Sequence, residues 1–166
     1  MTTDEQYFRG LMQDLLNAVV IQAAEDYREY SVKLLLSPED ERAANEKEEV
    51  IAFFLSRDFN FYTTASGKNI LTRLEAEETE MTDLFTEFRE KKAAMIECWK
   101  QFHAGKHADR LLLEELVLLA RRIREIQAIP ERAWKDLFVL RTREKTVMKK
   151  ISQWRREYAR KGKTGN

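Results

Sequence analysis

In 166 residues this chain balances 29 Lys+Arg against 29 Asp+Glu, and 35% charged residues with only 5 Gly and 2 Pro argue against a turn-rich sheet fold. A 43% hydrophobic content excludes global disorder, and the single Cys98 excludes an intrachain disulfide and fits a reducing compartment. The polar start Met1 to Gly10 lacks a secretion signal, and the most apolar stretch, Leu111 to Ala120, is broken by Glu114 and Glu115; a cytoplasmic protein without membrane contact is expected.

Thr3 and Gln6 form a capping-box pattern, and Phe8, Leu11, Leu15, Val19, Ala23 and Tyr27 then recur at helical spacing. That pattern predicts a first helix with a long apolar stripe. At Ser37-Pro38-Glu39-Asp40 the chain restarts, with Ser37 as cap and Pro38 as first helical residue. The second helix should run to about Ser56, burying Val50, Ile51, Phe53 and Phe54. Phe59 to Tyr62 reads as a short helical turn or loop in the core, and Thr64 to Gly67 as a turn. The aromatics Phe53, Phe54, Phe59, Phe61 and Tyr62 are dense enough for a partner groove, although a core is the simpler destination.

A helix from Lys68 carries Ile70, Leu71 and Leu74. The acidic stretch Glu75 to Glu80 is then either a joint between halves or an exposed turn of one long helix. Leu84, Phe85, Phe88, Met95, Trp99 and Phe102 continue at helical spacing to a stop near Gly105. Leu111 to Ile126 is apolar around much of its circumference, which predicts a central, buried helix. Pro130 should start a last helix reaching about Arg160, with Lys161 to Asn166 frayed. The expected fold is an all-α bundle of five to seven helices in two sequence-contiguous halves, 1–79 and 80–166, meeting near residues 75–80.

Those halves differ sharply in charge. Residues 1–80 hold 8 Lys+Arg and 17 Asp+Glu, whereas residues 81–166 hold 21 and 12, so the halves carry −9 and +9. On the last helix Lys145, Lys149, Arg156, Arg160 and Lys163 fall within about 60° of arc at 100° per residue. Leu137, Leu140, Val147, Ile151, Trp154 and Tyr158 lie opposite them. Such a row suits nucleic acid, because neutralised phosphates release counterions. Arg143, Lys150 and Arg155 would widen the patch. An acidic protein surface, including the acidic half of a second copy in a head-to-tail homodimer, suits the row as well, and so does plain solvation.

Signs of catalysis are sparse. Cys98, His103 and His107 have a zinc-like order but no fourth nearby ligand, and Gly105 interrupts the helix between the histidines. His107, Arg110 and Tyr158 are similar in order to the residues of tyrosine recombinases, but the further cations that such chemistry requires have no counterpart. The carboxylates lie on helical faces with no apolar setting to single out a pair. No phosphate loop, nucleophile elbow or His-Glu-x-x-His is present. A non-enzymatic protein without cofactor or metal is expected.

One stretch carries a resemblance. Ala24-Glu25-Asp26-Tyr27-Arg28, Ile51 to Phe59, Thr63 to Gly67 and Ile70 to Leu74 resemble a family of small uncharacterised proteins from prophages and integrative elements of Gram-positive bacteria. Phe53, Phe54, Ser56, Phe59, Thr63, Gly67 and Leu74 match its pattern, whereas Asp58 replaces a Trp, and Thr64 and Ser66 replace Asp residues. The similarity covers residues 24–74 and implies an origin in a mobile element, with no activity or catalytic residues. Under that resemblance the expected roles are contact with nucleic acid or a nucleoprotein complex through the last helix, or inhibition of a host protein, as anti-restriction and anti-CRISPR proteins do.

Overall fold

The computed structural model describes residues 2–105 and 110–163. Among them every regular element is helical: α1 (Thr3–Leu36), α2 (Glu41–Leu55), a 3-10 helix (Arg57–Phe61), α3 (Gly67–Ala104), α4 (Arg110–Ala128), a second 3-10 helix (Arg132–Phe138) and α5 (Thr142–Lys163). The all-α expectation is met. The described residues form two compact units: residues up to Thr82 with Arg132–Leu137, and Asp83–Glu131 with Phe138 onward.

The first unit begins one residue earlier than the sequence pattern suggested. Thr2 is the cap, its hydroxyl accepting from the Glu5 amide while the Glu5 carboxylate accepts from the Thr2 amide. This reciprocal pair satisfies two amides that helix geometry leaves open, and the Thr3–Gln6 pair is not needed. The α1 stripe is buried only toward its C-terminal part. Tyr27 is enclosed, yet Phe8 is 64% exposed and Leu15 60% exposed, because α2 packs only on the later turns of α1. α2 also starts differently. Ser37 closes α1, and Asp40 caps α2 by accepting from the Ala43 amide. A carboxylate one turn nearer the apolar run displaces Ser37-Pro38 from that role.

The core of this unit is Tyr27, Phe54, Phe59, Leu71 and Leu74, with Val50, Ile51, Phe53 and Ile70 packed on it. Phe53 meets Phe54, Phe59 and Tyr62 edge-on at 5.6, 5.4 and 5.3 Å between ring centres, the geometry that ring quadrupoles favour. Phe61 departs from the expected core cluster and is 80% exposed, because the three-residue repeat of the short helix sends it away when Phe59 turns in. Gly67 opens α3 directly against the Phe54 carbonyl, where no side chain fits.

The stretch Glu75 to Glu80 is helical and lies inside α3. Two of its acids hold the first unit together. Glu78 accepts from the Tyr27 hydroxyl and pairs with Lys47, both at 2.6 Å. Glu77 pairs with Arg28 at 3.0 Å and accepts from the Trp134 indole at 3.0 Å. That last bond draws Arg132–Leu137 into the first unit, so the halves expected to be contiguous in sequence are not: one short segment of the second belongs with the first.

In the second unit Phe88, Met95, Cys98 and Phe102 of α3 are buried, as are Leu113, Leu116, Ala120, Ile123 and Ile126 of α4. Arg122 binds Glu87 through two parallel bonds of 2.6 and 2.8 Å, and the guanidinium holds this carboxyl below its ordinary range. α4 is not buried all round. Leu111 and Leu118 are 74% and 62% exposed, so only one stripe meets the core. The last α-helix also starts twelve residues after Pro130. Trp134, Leu137, Phe138 and Leu140 are all buried, the first two in the first unit and the last two in the second. The segment is a 3-10 helix followed by extended backbone at Val139, and Gln127 donates to the Phe138 carbonyl at 2.7 Å.

Candidate functional site

α5 is anchored at its start by a carboxylate. Glu144 is buried, accepts from the Arg141 amide in the manner of a capping box, and pairs with Lys92 at 3.3 Å. Val147, Met148 and Ile151 continue the buried seam at helical spacing. Trp154 extends it, stacked on Trp99 at 4.9 Å between ring centres and tilted against Phe102 at 4.5 Å. This seam fixes which side of α5 faces water. The helix remains ordered through Lys163, past the fraying expected from Lys161.

Seven of the cations named from the sequence are exposed: Arg143, Lys145, Lys149, Lys150, Arg155, Arg156 and Arg160; the side chain of Lys163 lies outside the described residues. Lys145, Lys149, Arg156 and Arg160 share the outward face and span about 22 Å along the axis at 1.5 Å per residue. Among the described residues no ion pair neutralises Arg143, Lys145, Lys149, Lys150, Arg155 or Arg156. Arg156 bends back to the Ser152 carbonyl at 3.2 Å. Lys150 leans over Trp99, with its ammonium 5.7 Å from the ring centre. Arg155 does not join the outward row. It faces the groove between α4 and α5, beside Arg121 and Arg124.

The sequence pattern does not single out those two arginines, because Leu111 to Ile126 is apolar around much of its circumference. The available signal was their spacing: Arg121 and Arg124, three residues apart, share one face of an amphipathic helix. Counted by unit, the charge segregation persists in three dimensions. The first unit carries 10 Lys+Arg and 18 Asp+Glu, the second 19 and 11.

The other sequence candidates separate. Cys98 is buried, its thiol 3.5 Å from the Leu112 carbonyl, whereas His103 is exposed and stacked on Trp99; His107 lies outside the described residues. No cluster of metal-ligating side chains exists among the described residues. Tyr158 stands at the exposed edge of the α5 seam. Contrary to expectation, Glu77 and Glu78 do have an aromatic setting, beside Trp134 and Tyr27, but both are bound by cations. No helix among the described residues is long and apolar enough to cross a membrane. No protein-family model, curated protein or solved structure matches the chain.

Proposed function

We propose that this is a non-enzymatic interaction protein of a mobile element that contacts nucleic acid, or a nucleoprotein complex, through the outward face of α5. The observation that carries the reading is a row of exposed cations on a helix whose opposite face is fixed by buried side chains, in a unit with a surplus of positive charge. Lys145, Lys149, Arg156 and Arg160 make the main contacts, with Arg143 and Lys150 at the margins and Arg155 apart from them at the α4–α5 groove. The cations of this row displace counterions condensed on the nucleic-acid phosphates, and no base-reading or chemical step is involved.

Fluorescence anisotropy with labelled DNA and RNA, at about 50 to 300 mM salt, tests this. Affinity should fall log-linearly with salt and be lost in the variant Lys145→Glu, Lys149→Glu, Arg156→Glu, Arg160→Glu. Absence of binding at the lowest salt would retire the reading.

A second reading, an inhibitor or adaptor binding a host protein, is favoured by one observation. Tyr7, Phe8, Leu11, Met12 and Leu15 form an apolar face on the first turns of α1 that is between 44% and 70% exposed among the described residues. Retention of one host protein by the wild type, and its loss in Phe8→Ser/Leu11→Ser, would support that role.

A further inference from the structure

The groove between α4 and α5 has a volume of about 360 Å³, and Arg121, Arg124, Glu125, Ser152 and Arg155 are among the residues that line it. Three arginines, all exposed to solvent, thus line one groove. Its only carboxylate, Glu125, is engaged by Arg122 at 3.4 Å. Glu114, the acid that flanks the adjoining part of the groove, is held by Arg110 at 2.9 Å. Among the described residues Arg121, Arg124 and Arg155 have no acidic partner. The Ser152 hydroxyl donates to the Met148 carbonyl at 3.1 Å and stands 3.5 Å from the Arg124 guanidinium, holding that side chain across the groove.

Like charges gathered without a counter-charge repel one another, and an anion in their midst removes the repulsion. Guanidinium forks match the oxygens of a tetrahedral phosphate, and their weak hydration makes the exchange of water for phosphate favourable. We infer that the α4–α5 groove binds a phosphate group, with Arg121, Arg124 and Arg155 as its ligands. The ligand is a phosphodiester of a nucleic-acid chain or a free or terminal phosphate monoester. The first source rests on the function proposed above; the second does not. The two differ in charge, because a monoester gains its second negative charge near pH 6 and a diester keeps a single charge throughout.

The test uses the full chain and three proteins: wild type, the groove variant Arg121→Gln/Arg124→Gln, and the outer-row variant Lys145→Glu/Lys149→Glu/Arg156→Glu. Inorganic phosphate, matched in ionic strength with chloride, should raise the melting temperature of the wild type and of the outer-row variant. The groove variant should show no phosphate-specific rise while melting normally in chloride. If it instead unfolds, Arg121→Lys/Arg124→Lys serves in its place and should retain a reduced rise. If the groove takes a chain phosphate, the salt slope of the groove variant with duplex DNA should fall by about one per arginine removed. A phosphate effect that strengthens from pH 5.5 to 7.5 without any change in DNA slope identifies a monoester site. A slope change independent of pH identifies a chain phosphate. No phosphate-specific rise in the wild type, together with an unchanged DNA slope in the groove variant, overturns the assignment. So does a phosphate-specific rise that persists undiminished after both arginines are replaced.

Discussion

The Tyr27 hydroxyl donates to Glu78 at 2.6 Å across 51 residues of sequence, and Lys47 reaches the other oxygen of the same carboxylate at 2.6 Å. One acid of α3 thereby ties α1 and α2 to it. Replacing Glu78 by Ala leaves a half-buried ammonium and a buried hydroxyl without their shared partner. This should cost about 2–3 kcal/mol, against about 1–2 kcal/mol for Tyr27→Phe, which spares the ion pair. Urea unfolding of both variants checks the order; equal costs would mean that the carboxylate acts only through Tyr27.

The same bond makes the protein sensitive to alkali. Burial, and then the hydrogen bond to Glu78, pushes the Tyr27 hydroxyl well above the ordinary tyrosine range. A group raised in the folded state contributes fully below its unfolded value, about 10 for tyrosine, and loses that contribution as pH climbs beyond it. Stability of the wild type should therefore decline more steeply above about pH 10 than that of Tyr27→Phe. Urea midpoints measured across that range give the comparison.

Gly67 is set by proximity rather than by torsion. A Cβ there would sit 2.9 Å from Phe59 Cδ1 and closer still to the Phe54 carbonyl oxygen, which is backbone and cannot swing aside. Gly67→Ala should cost about 3 kcal/mol despite the better helix propensity of alanine. A variant as stable as the wild type would show that the start of α3 shifts freely.

Glu144 governs how α5 is presented. Truncation to Ala removes the acceptor of the Arg141 amide and the partner of Lys92 together. A loss of about 2 kcal/mol is expected, with the first turn of α5 exchanging its amide hydrogens faster than the turns around Ile151. Uniform exchange along the helix would count against a capping role.

The early turns of α1 should tolerate polar substitution. With Phe8 and Leu11 exposed in the first unit, Phe8→Ser and Leu11→Ser should each change stability by no more than about 0.5 kcal/mol. Tyr27→Ser, five turns along the same stripe, should unfold the unit. A large loss at Phe8 would mean that this face is covered in solution.

Helical period and composition were enough for the helical class of the chain, though not for the 3-10 helix Arg132–Phe138, and for the outward row of α5: Lys145, Lys149, Arg156 and Arg160 are one face at 3.6 residues per turn whatever surrounds them. The same local rule misplaced what depends on neighbours. Phe8 and Tyr27 belong to one stripe, but burial needs a second surface, and α2 supplies it only to the later turns. Glu77 and Glu78 look like solvated acids until Arg28, Lys47, Tyr27 and Trp134 arrive from distant positions. The last helix starts at Thr142, after a 3-10 helix and extended chain that place Trp134 and Leu137 in the first unit and Phe138 and Leu140 in the second. Arg155 joins Arg121 and Arg124 only when α5 packs beside α4. A period along one helix names the residues that share a face, because backbone geometry is local. Which face is covered, and which charges meet across a groove, is decided by contacts between segments far apart in the chain, and these exist only once it has folded.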